Sequence, residues 1–169
     1  MHETNRCKLL KIQETDYEEV KKLYTDERVR QFLGGTVREQ IYRAKFIDMC
    51  DVNNEGLYWV IRQKNNDQFI GLVSLSLHHD GISTEISYQL LPGWWGCGYG
   101  TEVVREVINY AFKELGLTRV VAETQTANKA SCEMLKRVGM SIEKTVERFG
   151  AEQLIFSIMN AAITEESEA

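Results

Sequence analysis

The sequence predicts a mixed α/β (α+β) domain: one mostly antiparallel sheet containing a single parallel strand pair, flanked by helices. Three observations lead there. Residues 57–91 hold three β-rich runs broken by short turn signals, the pattern of an antiparallel meander. A glycine-rich stretch, Pro92–Gly100, follows the last run and opens a long amphipathic segment. A further β-rich run, Arg119–Thr126, follows that helix, and a strand–helix–strand crossover of this kind places its two strands side by side and parallel.

The elements follow in chain order. Residues 8–13 read as a first strand. Asp16 with Glu19 forms a capping-box pattern ahead of Val20, Leu23 and Tyr24, and Thr36 with Glu39 forms another ahead of Ile41, Ala44 and Ile47, so two helices follow. The meander strands are Leu57–Gln63, Gln68–Leu77 and Ile82–Leu91, joined through Lys64–Asp67 and His78–Gly81. Gly71 inside a strand marks a bulge or a close backbone approach. Val104, Val107, Ile108, Ala111, Phe112 and Leu115 share a face of the helix behind the glycines, and Gly116 stops it. Asn128 caps a last helix with Ala130, Met134, Leu135 and Val138 turned inward and Gly139 at its end. Residues 142–149 and 153–159 close the sheet. The domain is expected to span 1–163, with 164–169 an acidic disordered tail. A ligand site is expected at the carboxyl ends of the parallel pair.

Composition narrows the function classes. The chain has 169 residues, of which 43% are hydrophobic and 27% charged, the profile of one globular domain. No stretch approaches the roughly 18 apolar residues that span a bilayer, and Met1–Leu10 lacks a signal-peptide apolar region, so a cytoplasmic protein with no membrane partner is expected. Cys7, Cys50, Cys97 and Cys132 show no paired spacing and no neighbouring histidine ligands, which argues against a metal site or a disulfide framework. A net charge of −5 argues against nucleic acid and is compatible with a cationic amine.

The chemistry centres on Gly96-Cys97-Gly98-Tyr99-Gly100-Thr101, between a strand and a helix. Bare backbone amides and the positive end of a helix dipole make a cradle for a diphosphate. A nucleotide-hydrolase loop would need Gly-Lys-Ser/Thr, and this loop lacks lysine. A dinucleotide fold would need a third glycine where Thr101 stands, and an antiparallel meander would not precede it.

The run Trp95-Gly96-Cys97-Gly98-Tyr99-Gly100, at the start of the helix after the fourth predicted strand, resembles the coenzyme A loop of the GNAT superfamily of N-acetyltransferases. Trp95 stands where the family usually has Arg or Gln. That substitution, together with Asn128-x-x-Ser131, Leu135 and Val138-Gly139-Met140, is similar to the branch that acetylates ribosomal-protein N-termini. The resemblance implies the GNAT fold, in which the parallel fourth and fifth strands splay apart, and acetyl-CoA as acyl donor to a primary amine on a small molecule, a peptide or a protein N-terminus. It implies that Gln89, Leu90 and Leu91 face the pantetheine arm, that Trp95, Gly96, Cys97, Gly98, Tyr99, Gly100 and Thr101 surround the diphosphate, and that Asn128 and Ser131 hold the arm from the other side. Cys97 replaces the Lys or Arg often found within the loop, which removes one phosphate contact.

Acetyl transfer to an amine needs a base for the ammonium proton, a donor for the tetrahedral oxyanion and a partner for the departing thiolate. Two carboxylates are candidates for the base: Glu147, slightly preferred, and Glu85. An amide near Leu90 suits the oxyanion. Ser131, one turn beyond Asn128, suits the thiolate, because this helix lacks the tyrosine many relatives use there. Trp94, Trp95 and Tyr99 are expected to pack around the loop, and His78 and His79 to sit solvated in a turn. Tyr42, Phe46, Trp59 and Tyr88 are candidates for an acceptor pocket, at least two of them belonging instead to the core. Acceptor choice is expected to lie in 28–50 and the last hairpin. A monomer or homodimer is expected. The rival readings are a non-catalytic coenzyme A sensor and a dinucleotide-dependent oxidoreductase.

Overall fold

The computed structural model describes residues 2–162; the predicted acidic tail lies outside them. One eight-stranded sheet runs β1(His2–Glu3), β2(Cys7–Lys11), β3(Leu57–Gln63), β4(Phe69–Leu77), β5(Thr84–Leu90), β6(Arg119–Gln125), β8(Ala151–Met159), β7(Ser141–Arg148) in spatial order. Every neighbouring pair is antiparallel except β5 and β6, which meet in parallel at one register position, Glu85 opposite Val121. Beyond that point no ladder joins the two strands, and the sheet opens into a wedge. β5 and β6 are the fourth and fifth strands of the sequence reading, displaced by one number because β1 precedes them.

Helices cover both faces. α1(Tyr17–Thr25), α2(Glu27–Arg30) and α3(Glu39–Cys50) enclose Val20, Leu23, Tyr42, Phe46, Val60 and Leu72 on one face. α4(Tyr99–Lys113) and α5(Lys129–Arg137) enclose Leu9, Ile61, Val73, Val104, Ala122, Leu135 and Phe156 on the other. Gly71 lies where β4 and β5 come closest: a Cβ there would fall 2.0 Å from the Gln89 carbonyl oxygen, so only glycine fits. The pairing with β3 slips beside it, leaving Ile70 as an extra residue. Both signals sought at Gly71 are therefore present.

Several local expectations change. Neither capping box forms as read. Asp16 instead accepts the Gln13 amide (2.8 Å) and binds Arg62 (3.1 Å), while Glu39 pairs with Lys21 and Tyr17. The Asp26 carboxylate caps an unpredicted short helix, accepting the amides of Arg28 and Val29. α3 buries Tyr42, Phe46 and Met49, and leaves the predicted inward residues Ile41, Ala44 and Ile47 exposed. The aromatic set offers more apolar area and locks into a ring cluster with Tyr17 and Tyr24, whose centroids lie 4.9 and 5.1 Å from that of Tyr42. On α5, Ala130 faces solvent and Cys132 takes its place inside; Leu115 lies beyond the end of α4 and is exposed.

Candidate active site

The wedge between β5 and β6 has two ends, and different parts of the chain build each. At the open end, residues 92–94 make a tight turn and the Trp95 indole nitrogen donates to the Leu90 carbonyl at 2.9 Å, anchoring the loop to the tip of β5. Gly96 and Gly98 have φ of 73° and 84°, a left-handed backbone that side chains resist. Gly100 has no such requirement, since an added methyl would sit in ordinary contact 4.0 Å from Leu90 and Met134. The first bond of α4 runs from Glu102 N–H to the Gly98 carbonyl (3.1 Å), which leaves the amides of Tyr99, Gly100 and Thr101 without a helical acceptor. Trp94 and Tyr99 pack edge to face with centroids 5.3 Å apart.

Strand alternation decides which backbone groups face the wedge. The Leu91 amide donates to Ile70 in β4 at 2.9 Å, so it is turned away from β6. Successive amides point to opposite sides of a strand. The Leu90 N–H therefore faces the wedge, whereas the Gln89 and Leu91 amides serve the sheet. The side-chain oxygens of Gln89 and Thr126 are buried without a hydrogen-bond partner, and the Gln89 side chain lies beside Tyr24 on the face covered by α1–α3 rather than toward α5.

Across the wedge, Asn128 caps α5 as read, its Oδ1 accepting the Ser131 amide at 3.2 Å. Ser131 is not alone. Its hydroxyl lies 2.5 Å from the hydroxyl of Tyr88, a half-buried residue of β5. Burial pushes the Tyr88 phenol up to about 12, against the lowering effect of the Ser131 bond, so it stays protonated as a donor at neutral pH. The tyrosine missing from α5 is thus matched by one from the facing strand. Of the four aromatics considered for an acceptor pocket, Tyr42, Phe46 and Trp59 are core residues and Tyr88 alone reaches this site.

The closed end holds charge. Where β6 leaves β5, the freed Glu123 amide donates to the Glu85 carboxylate at 3.2 Å. Burial pushes Glu85 up to about 7; His78 and Arg148 pull it down and Glu123 pushes it further up. The Glu123 side chain, 7% exposed, is held by Arg148 from β7 at 3.1 Å. His78 overturns its expectation: its side chain is 2% exposed, packed against the Glu123 carboxylate of β6. Its Nδ1 accepts the Asp80 amide (3.2 Å), and its Nε2 lies 3.4 Å from the Glu123 carboxylate. His79 is exposed as read. Ligand atoms of His78, Glu85 and Glu123 lie within 4.8 Å of one another, but Arg148 already supplies the positive charge that a metal ion would have to displace.

Glu147 stands apart. It pairs across from Glu152 on the edge strand β7 and is exposed, while its neighbour Arg148 turns inward to Glu123. Alternation along a strand sends adjacent side chains to opposite faces, so Glu147 points away from the carboxylates.

The element order, the wedge and the bare helix start are those of a coenzyme A acyltransferase. The acetyltransferase (GNAT) domain family matches residues 6–141. This chain belongs to the GNAT acetyltransferase family. As a GNAT enzyme it is an acetyl-CoA-dependent N-acetyltransferase. It is 28% identical over 154 residues to the uncharacterized N-acetyltransferase YoaA of Bacillus subtilis, covering 87% of this chain and 86% of that one. Among solved structures, spermidine N-acetyltransferase from Vibrio cholerae in complex with CoA and spermine superposes with a TM-score of 0.79 at 16% identity, covering 90% of this chain and 95% of that one. The ribosomal-protein-S5-alanine acetyltransferase of Vibrio fischeri does so with a TM-score of 0.78 at 19% identity, covering 95% and 96%. At these identities the likeness is one of fold.

Proposed function

We propose that this GNAT enzyme acetylates a primary amine by direct transfer, with Glu85 as the general base. The observation that carries the reading is a carboxyl group raised to about 7 at the root of the strand wedge, within reach of the thioester that the wedge would admit. A base with that affinity takes a proton from an ammonium and is itself about half free of one at neutral pH. The Leu90 amide stabilises the oxyanion as the amine adds to the thioester carbonyl. The carbon–sulfur bond then breaks, and the Tyr88–Ser131 hydroxyl pair hydrogen-bonds to the departing thiolate or protonates it. Asn128 borders the pantetheine arm, and the glycine loop with the α4 start takes the diphosphate. The expectation that Glu147 is the base is set aside in favour of Glu85, because only Glu85 shares the wedge.

The acceptor class is a cationic amine, which two buried carboxylates beside the transfer point favour. Peptide N-termini, suggested by the Trp95 loop and the Asn128-x-x-Ser131 pattern, and polyamines form the panel to test. The test follows thiol release from acetyl-CoA across that panel with the wild type, Glu85→Gln and Glu147→Gln. Turnover with an amine, lost in the Glu85 variant and kept in the Glu147 variant, supports the assignment. The reverse pattern reassigns the base to Glu147, and no thiol release with any amine removes the reading.

A further inference from the structure

The glycine loop contains no lysine or arginine, and the first turn of α4 carries a carboxylate, Glu102. A diphosphate bound there would meet like charge and no compensating cation from its own loop. The structure brings one from the far end of the chain. Arg6, in the turn between β1 and β2, reaches across to α4: its Nε pairs with Glu102 at 3.1 Å, its Nη1 donates to the Cys97 carbonyl at 3.0 Å, and its guanidinium carbon lies 3.9 Å from the centre of the Tyr99 ring. The Arg6 amide (3.2 Å) and the Thr4 hydroxyl (2.6 Å) also donate to Glu102, so three donors from one short segment hold that carboxylate.

One nitrogen is left over. Arg6 Nη2 donates no hydrogen bond among the described residues, and it lies 3.4 Å from the point where a Cβ of Gly98 would stand, in the middle of the loop. The side chain is 36% exposed, so this nitrogen is open to a ligand. A guanidinium presents several donors in a fixed fork and keeps its charge at any working pH, which suits it to bridge a carboxylate and a phosphate at once. A second cation, Arg137, touches the Thr101 hydroxyl at 3.4 Å from the α5 side, but it belongs to the opposite flank of the helix start.

We propose that Arg6 is a phosphate-binding residue of this enzyme. It replaces the missing loop cation, neutralises Glu102 and donates through Nη2 to the diphosphate of the acyl donor. The proposal rests on the reading that the glycine loop takes that diphosphate. A purely structural clamp makes the same contacts to Glu102 and Cys97, so its role would be restored in full by Arg6→Lys, which keeps the pair with Glu102, whereas a forked donor to the phosphate would not; full recovery of KM for acetyl-CoA in Arg6→Lys overturns the proposal.

The test compares three acyl donors at saturating amine: acetyl-CoA, its 3′-dephospho form and S-acetyl-pantetheine, which carries the same thioester arm without diphosphate or nucleotide. Loss of one charged hydrogen bond predicts that Arg6→Gln raises KM for acetyl-CoA by about ten- to a hundred-fold, with kcat nearly unchanged. The same rise is expected with the dephospho donor, and no change in kcat/KM with S-acetyl-pantetheine. Arg6→Lys keeps the charge without the fork, folds without leaving Glu102 unpaired, and should fall between wild type and Arg6→Gln. An equal loss on all three donors, or no loss on any, overturns the proposal; an effect that disappears with the dephospho donor moves Arg6 to the 3′-phosphate and overturns the diphosphate assignment. If the wild type itself uses acetyl-CoA and S-acetyl-pantetheine equally well, the loop reading fails rather than Arg6 alone.

Discussion

The two ends of the β5–β6 wedge are built in opposite ways. The open end is a contiguous run, residues 95–101, whose working groups are main-chain amides exposed by left-handed glycines at a helix start. The closed end is assembled from side chains of β5, β6 and β7 and the turn after β4, with Glu85, Glu123, His78, Asp80 and Arg148 within one network. The first end binds by shape and dipole and has little to titrate. The second stores an ionisable proton near neutrality and depends on distant residues staying in place. On the proposed mechanism a diphosphate meets the first and proton transfer uses the second, with the splayed pair of parallel strands between them.

Variants can break this contrast in order of expected effect. Glu85→Gln should be the most severe, lowering kcat/KM by about 10²- to 10⁴-fold while leaving KM for acetyl-CoA near its wild-type value. In the wild type, kcat/KM should rise with pH through about 7, and the variant should lose that inflection. Its stability should move the other way. The folded protein holds a Glu85 proton that the unfolded chain has released between about 4.5 and about 7, so the wild type loses stability as pH rises through that window. Thermal melts at pH values either side of it should show Glu85→Gln gaining on the wild type as pH increases.

Gly98→Val attacks the other end. A β-branched residue at φ 84° forces the loop to rearrange, and its Cβ would crowd Arg6. KM for acetyl-CoA should rise about ten- to a hundred-fold, with a smaller change in kcat, as read from steady-state kinetics. Tyr88→Phe and Ser131→Ala should each lower kcat by about tenfold, the worth of one hydrogen bond. Because the two hydroxyls share one bond, the double variant should be scarcely worse than either single one, a non-additivity that a double-mutant cycle measures. The smallest effect should be that of Glu147→Gln, which is exposed on the edge strand: less than about twofold in kcat/KM and no measurable shift in Tm.

Much of the architecture could be read in advance because its signals are local. The meander, the glycine loop, the crossover helix, the Asn128 cap and the glycine stops each follow from residues close in sequence. The errors share a different cause. On α3, two apolar faces were available, and the ring cluster with Tyr17 and Tyr24 selected Tyr42 and Phe46 over Ile41 and Ile47. His78 looked like a turn residue because nothing near it in sequence shows that β6 covers it. Arg148 has no place in the sequence reading, and Tyr88 appears there only as an acceptor-pocket candidate, since their partners, Glu123 and Ser131, lie on other elements. Alternation along the last strand did offer a cue, because Glu147 and Arg148 cannot both face inward.

By itself, the sequence determined the class of fold, the family and the position of the bare glycine loop at the start of α4, since those depend on backbone conformation that neighbouring residues dictate. The tertiary structure decided which carboxylate shares the wedge, which hydroxyl meets Ser131 and which arginine reaches the loop. The physical reason is that a side chain's ionisation and its partners depend on what folding packs around it, and the groups packed around Glu85 and beside Gly98 come from elements far away along the chain.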